Sequence, residues 1–417
     1  MKDLPPKPVD AFRVIHTADW HLGKLLNDQS RDEEHERFLD WLLALATESS
    51  ADAIIVAGDV FDSANPPQSA QSRYYNFVSA LHDKRSGCAL VLIAGNHDSA
   101  ALLEAPKQAL RALNVHIAGH LGEDPASRLL PLPSAEDPRV VVALLPFLRD
   151  RDLRTARAGE TVEDIRAQVT EGIKNRYEET AAAAAQGTPL LATGHLTVDG
   201  TRTSDSERDI HIGGLGAVAP GIFPAAFEYV ALGHLHRPQE ARGHDKIRYA
   251  GSPIALSFSE SEDTKEVRVL DIVDGKVTHH AAPIPVFRRL AQLRTTRSDL
   301  ARDVADFAPS GGEFPVWVEV IVEDAGPADD LVELVRSAAQ GKDFEVLKVV
   351  RGRTAAPAGL TAGEATDDEA LDSLLENPTR VFEHLLEDQE GLAVEETDKL
   401  KIAFQELRDL VSQEERN

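Results

Sequence analysis

The sequence predicts an α/β protein with three parts: a layered, mixed-sheet domain, a small second α/β domain and a helical C-terminal tail. Three observations point there. Apolar runs rich in Val, Ile, Leu and Ala recur through the first two-thirds of the 417 residues, and helical stretches alternate with several of them. Near residue 284 the alternation restarts on a smaller scale. After residue 353 it gives way to a turn-rich linker and two amphipathic stripes.

The runs "FRVIHT" (12–17), "AIIVA" (53–57), "ALVLIA" (89–94), "VVVALLP" (140–146), "PLLAT" (189–193) and "YVAL" (229–232) read as strands buried on both faces. "EEHERFLDWLLALATE" (33–48), "AALLEAPKQALRAL" (100–113) and residues 70–85 read as helices. Strand–helix alternation of this kind argues for a layered domain. "EVRVLDIVDGKVTHHAAP" (266–283) is a hairpin turning at Asp274-Gly275, which adds antiparallel strands late in the domain. Residues 1–283 are therefore taken as the main domain. Residues 284–353 read β-α-β-α-β, with Val316, Val318, Val320 and Val322 on the buried face of a half-buried strand.

Residues 354–366 form the linker and 367–417 the tail. Leu371, Leu374, Leu375, Val381, Phe382, Leu385 and Leu386 make one apolar stripe, and Leu400, Ala403, Phe404, Leu407, Leu410 and Val411 a second. Two short helices have little core of their own. Because the linker separates them from the rest, they are expected to dock on a partner rather than pack on the parent domain.

The bulk numbers narrow the class. The chain is 42% hydrophobic and 27% charged, with no apolar run long enough for a membrane span and no signal-peptide core at its start. The single Cys88 rules out an intrachain disulfide framework and fits a reducing cytoplasm. The net charge of −26 argues against a general nucleic-acid binder, because phosphate backbones attract Lys and Arg. A bound divalent metal reverses that local field, and a basic partner could supply the rest.

Five strand ends carry metal-binding residue types. The first ends near Asp19-Trp20-His21; the others run into Gly58-Asp59, Gly95-Asn96, Gly194-His195 and Gly233-His234-Leu235-His236. In open α/β sheets ligands bind beyond the carboxyl ends of strands, and glycine there lets the backbone turn and approach closely. Asp19, His21, Asp59, Asn96, His195, His234 and His236 can thus reach one pocket. Imidazole, carboxylate and amide oxygen without thiolate suit zinc, manganese or iron. Seven ligands exceed the usual protein complement of one ion, so two divalent ions are expected, about 3.5–4 Å apart. The other histidines, His97 apart, read as surface or structural, with His16 and His211 the two candidates for a place near the pocket.

"DWH", "GDVFD", "GNHD", "GH" and "GHLH", in this order, resemble the calcineurin-like metallophosphoesterases. "HTADWHLGK", "GDVFDSANPP" and "YAGSPIALSFSE", with the small domain and helical tail, resemble the bacterial members that serve as double-strand-break repair nucleases. The resemblance implies a first metal on Asp19, His21, Asp59 and His236. It implies a second on Asp59, Asn96, His195 and His234, with Asp59 bridging, and it makes His97 the catalytic histidine. Asp98 is read as orienting a neighbouring histidine or capping the helix that starts near Ser99. Asp62 receives no catalytic role.

The expected function is a two-metal DNA nuclease, with manganese as the expected ion. It would act as an exonuclease on duplex ends and an endonuclease on single-stranded or hairpin DNA, in repair, recombination and replication. The resemblance implies a coiled-coil ATPase partner on the C-terminal helices and a homodimer within a heterotetramer. "RDRDLRTAR" (149–157) is either a DNA-backbone contact or a solvated face. The competing expectation is a phosphoesterase of small phosphodiesters or phosphomonoesters. That enzyme would share every metal ligand but has no obvious use for the second domain or the tail.

Overall fold

In a computed structural model the described residues are 4–155, 160–204, 207, 217–323 and 331–352. All belong to one compact unit, Met1–Arg353. The expected linker and tail helices, His211, and part of the basic run 149–157 lie outside the described residues.

Two six-stranded sheets form the body. The first holds β1 (Phe12–Thr17), β2 (Ala53–Ala57), β3 (Ala89–Ile93) and β4 (Val115–Ala118), paired in parallel. The second holds β5 (Leu129–Leu132), β6 (Val140–Ala143), β7 (Leu190–His195), β8 (Phe227–Gly233), β9 (Gln239–Ala241) and β10 (His244–Tyr249), in the order β9-β10-β8-β7-β6-β5. β11 (Glu266–Val273) then returns to the first sheet, antiparallel to β1, and β12 (Lys276–Pro283) completes it. The hairpin turns at Asp274 (φ 46°) and Gly275 (φ 80°), the two successive left-handed residues of a tight hairpin turn.

The sheets meet face to face through Val14, Ile55, Val91, Val142, Leu191, Tyr229 and Leu270. On the outer face of the first sheet lie α1 (Asp32–Glu48) and α2 (Gln68–Arg85), whose Phe38, Leu42, Phe77 and Leu81 pack over Ile15, Ile54 and Leu90. On the second sheet lies α3 (Val162–Ala183), through Val169, Ile173 and Tyr177. The sequence signals strands buried on both faces, and this sandwich is what buries them; how many sheets they divide into depends on long-range pairing.

The expected helix over 100–113 is broken. Helical residues run Ala100–Glu104 and Lys107–Leu110 with a turn between them. Pro106 has no N–H to donate, so the run of helical hydrogen bonds is interrupted there and the apolar periodicity outlasts the helix itself.

A third, all-parallel sheet is built from β13 (Arg288–Thr295), β14 (Phe314–Val322) and β15 (Phe344–Arg351), with α4 (Leu300–Asp306) and α5 (Leu331–Ala338). Val316, Val318, Val320 and Val322 face these helices, as expected. β14 is not half-buried, however: Trp317, Glu319 and Ile321 on its other face are buried too. Trp317 packs with Leu26, Phe258 and Leu290, and the Arg288 guanidinium lies 4.1 Å from its ring centroid. No helix among the described residues is long and apolar enough to cross a membrane.

Candidate metal centre

The carboxyl ends of β1, β2, β3, β7 and β8 open onto one pocket. Register places His195 beside Gly233, so the loop carrying His234 and His236 starts next to it. The Asp19 N–H donates to the Gly58 carbonyl and the His21 N–H to the Asp59 carbonyl, each at 3.0 Å, which laces the first two loops together. Asp19 (φ 51°), His21 (φ 45°), Asp59 (φ 48°) and His234 (φ 93°) all hold left-handed backbone. Such conformations cost non-glycine residues about 1–3 kcal/mol each and cluster at functional sites. A side chain at Gly95 would run into the Asp59 carboxylate, and one at Gly58 into the His195 ring, so close approach explains both glycines.

All seven expected ligand side chains converge. Asp19, His21 and His236 form one group whose possible ligand atoms lie within 4.8 Å of one another, and Asp19, Asp59 and His195 form another. Asn96 Oδ1 is 2.9 Å from His195 Nε2 and 3.3 Å from His234 Nδ1. Asp59 sits between the two sides: its Oδ2 is 3.5 Å from His21 Nε2 and 3.3 Å from His195 Nε2, while its Oδ1 accepts from the His97 N–H at 2.9 Å. The candidate carboxylates and imidazoles are buried, whereas Asn96 and His97 are half-buried at the mouth. His97 also belongs to a group with His21 and Asp59, its ring centroid 4.8 Å from that of His21.

This arrangement suits cations. His195 Nδ1 lies 2.9 Å from the Ala57 carbonyl, which can only accept, so Nδ1 carries a proton and Nε2 faces the pocket. His21 places Nδ1 3.1 Å from Asp62 Oδ1, and His236 places Nδ1 3.5 Å from Glu260 Oε1. Their Nε2 atoms then face each other at 3.2 Å. Two neutral imidazoles so oriented present lone pair to lone pair, which a bound cation relieves. Asp19 Oδ1 accepts from the His234 N–H at 2.8 Å, and its Oδ2 is buried without a hydrogen-bond partner.

The electrostatics agree. Burial drives the Asp19 carboxyl well above its ordinary range, with His195 opposing and Asp59 adding. Burial also acts on Asp59, but His195 and His21 hold it below the usual carboxylate range. Burial opposes charge on His195, yet Asp59 and Asp19 push it up to about 9. The carboxylates therefore draw positive charge into the pocket, and divalent ions would supply it.

Asp98 does neither of the things expected of it. Its carboxylate accepts from the backbone N–H groups of Val60, Phe61 and Gly95 at 2.9–3.1 Å, pinning the loop after β2 to the loop after β3. Ser99 Oγ caps the helix instead, accepting from the Leu102 N–H. His16 is structural: Nδ1 meets the Tyr229 hydroxyl at 3.0 Å and Nε2 the Leu232 carbonyl at 3.2 Å. In the basic run, Arg154 pairs with Glu160 at 2.9 Å. Sequence reasoning missed the groups behind the imidazoles, Asp62, Glu260 and the Ala57 carbonyl. Only Asp62, inside "GDVFD", lay in a motif with metal-ligand character.

This fold is that of the calcineurin-like phosphoesterases, whose family matches residues 12–238; residues 286–390 match a type 5 capsule protein repressor C-terminal domain. The SbcD subunit of nuclease SbcCD from Escherichia coli K12 is 37% identical over 348 residues, 82% of this chain and 86% of that protein. The Rhodobacter capsulatus protein of the same name is 42% identical over 294 residues, 67% of this chain and 72% of its own length. The Bacillus subtilis one is 37% identical over 272 residues, covering 64% and 67%. The chain belongs to the SbcD family of SbcCD nuclease subunits. Divalent metal ions are the cofactor class that the phosphoesterase family implies.

Proposed function

We propose that this chain hydrolyses DNA phosphodiesters as the nuclease subunit of an SbcCD-type complex, using two manganese ions. The convergence of seven side chains from five strand ends, with Asp59 between both sides, carries this reading. Asp19, His21, Asp59 and His236 would hold the first ion, and Asp59, Asn96, His195 and His234 the second. When bound, the ions supply Lewis acidity and neutralise the non-bridging phosphate oxygens.

The protein's own part is positioning and proton transfer. The loops fix imidazole orientation, and the glycines let backbone and ligands close in. His97 stands at the mouth with Nδ1 engaged by the Asp62 carbonyl, 2.8 Å away, leaving Nε2 to meet a leaving oxygen. As water adds to phosphorus and the P–O bond to the leaving oxygen breaks, the His97 imidazolium, its Nδ1–H held on the Asp62 carbonyl, would give its Nε2 proton to that oxygen. Burial lowers the proton affinity of His97, and the charge of Asp59 pushes back.

The relatives' name is that of one subunit of a complex. For this chain the proposed partner is a coiled-coil ATPase of the SbcC type, held by residues 367–417, with two nuclease chains in a heterotetramer in the cytoplasm. Such a partner would carry much of the duplex and so answer the charge of −26. Residues 284–353 are proposed to act as a capping domain beside the site. Purified protein with manganese should degrade linear duplex DNA, and a chelator should stop it. Undiminished degradation in excess chelator would contradict the metal mechanism. Deleting residues 367–417 should abolish co-purification with the ATPase while sparing metal binding; an intact complex would refute that docking.

A further inference from the structure

Behind the His236 ring lies a buried ion pair that no step above uses. Glu260, fully buried in the turn after "SPIALSF", faces Lys265, also buried, with Lys265 Nζ 2.6 Å from Glu260 Oε2. The Leu256 N–H donates to the same oxygen at 3.1 Å. The other oxygen, Oε1, is turned to His236 Nδ1 at 3.5 Å. Lys265 Nζ also donates to the His236 backbone carbonyl at 2.9 Å, and the Ser252 N–H reaches that carbonyl at 3.0 Å. One ammonium thus ties the backbone of His236 to the carboxylate behind its ring.

Stability is a poor reason for such a pair. Two buried charges lose their hydration, and replacing a buried pair by apolar groups of similar size is often neutral or stabilising. The Lys265 ammonium at 2.6 Å and the Leu256 N–H at 3.1 Å give the Glu260 carboxylate the partners a buried anion needs. A fixed anion behind Nδ1 holds the proton on that nitrogen. It turns Nε2 to the pocket and raises the basicity of Nε2. Asp62 stands in the same relation to His21. Glu207 is the nearest competitor; it lies farther from His236 Nδ1, at 3.9 Å, and its Oε1 accepts from the His236 N–H instead.

We propose that Glu260, clamped by Lys265, is the positioning residue for His236 and sets the affinity of the metal held by Asp19, His21 and His236. This rests on the two-metal reading above. The test titrates manganese into the chelator-stripped full chain and reads the signal of free ion by electron paramagnetic resonance. The parent should show two binding steps; a parent that binds none fails the two-metal reading itself. In the double variant Glu260→Leu with Lys265→Met, which removes both charges together, one step should weaken by about 100-fold and the other stay as it was. Glu260→Gln keeps an acceptor and should weaken the same step by about tenfold. A folded double variant with both steps at parent affinity would overturn the assignment. Should the double variant not fold, parent-like affinity in Glu260→Gln would overturn it. A merely structural pair would lower the melting temperature and weaken both steps together, which would also overturn it.

Discussion

His97 Nδ1 lies 2.8 Å from the backbone carbonyl oxygen of Asp62. A carbonyl only accepts, so Nδ1 carries a hydrogen and Nε2 is the atom left for substrate. The same loop supplies Asp62 Oδ1 to His21 Nδ1, so one turn fixes both a proposed ligand and the proposed acid.

His97→Asn keeps a polar side chain of smaller reach. It should cost about 10²-fold or more in DNA hydrolysis while two manganese ions still bind. Metal content after gel filtration checks this. A variant that loses one ion would make His97 a ligand, an outcome its grouping with His21 and Asp59 makes worth measuring.

Asp98→Ala should act on stability rather than on metal identity. It strips acceptors from three backbone N–H groups, and each buried donor left unpaired costs about 1–3 kcal/mol. A fall in melting temperature of many degrees is expected. An unchanged melt would show that Asp98 does not hold the two loops.

Two buried histidines predict acid sensitivity of the metal-free protein. Burial pushes His16 down to about 3, and burial with the charge of Arg31 does the same to His35. The unfolded chain takes up these protons near pH 6.5 while the folded one resists until about pH 3. Stability should therefore fall as pH drops through that window, by about 1.4 kcal/mol per pH unit for each histidine. In denaturant titrations between pH 6 and 4, His16→Gln should have a shallower slope than the parent; equal slopes would remove His16 from the account.

Trp317→Ala should loosen the third sheet from the body. The indole packs with Leu26, Phe258 and Leu290, under Arg288 and with Arg31 5.6 Å from its centroid. Truncating a buried Trp costs about 3–5 kcal/mol. Faster proteolysis near residues 284–290 is expected, and parent-like resistance would argue that other contacts hold the sheet.

Local chemistry made much of this legible. β1, β2 and β3 announce themselves as apolar runs, and each of five such runs ends in a metal-binding residue type. What stayed hidden depends on distance along the chain. The sequence pattern cannot pair β8 with β7 rather than β1, so the division into two sheets was not readable. The both-sided burial of β14 comes from Trp317 meeting Phe258, which lies outside its own sheet. The groups behind the imidazoles are hidden for the same reason: Asp62 is 41 residues from His21, and Glu260 is 24 from His236. In "GNHD" the sequence offers three polar neighbours, and the structure sets Asn96 beside His195 and His234, His97 beside His21 and the Asp62 carbonyl, and Asp98 in a backbone clamp.

The most direct measurement compares two substrates for the same purified protein in manganese: linear duplex DNA and a small phosphodiester, as kcat/KM. A value higher for DNA by at least an order of magnitude is the expected result. A preference for the small phosphodiester would contradict the nuclease reading and leave a small-molecule phosphoesterase with the same metal ligands.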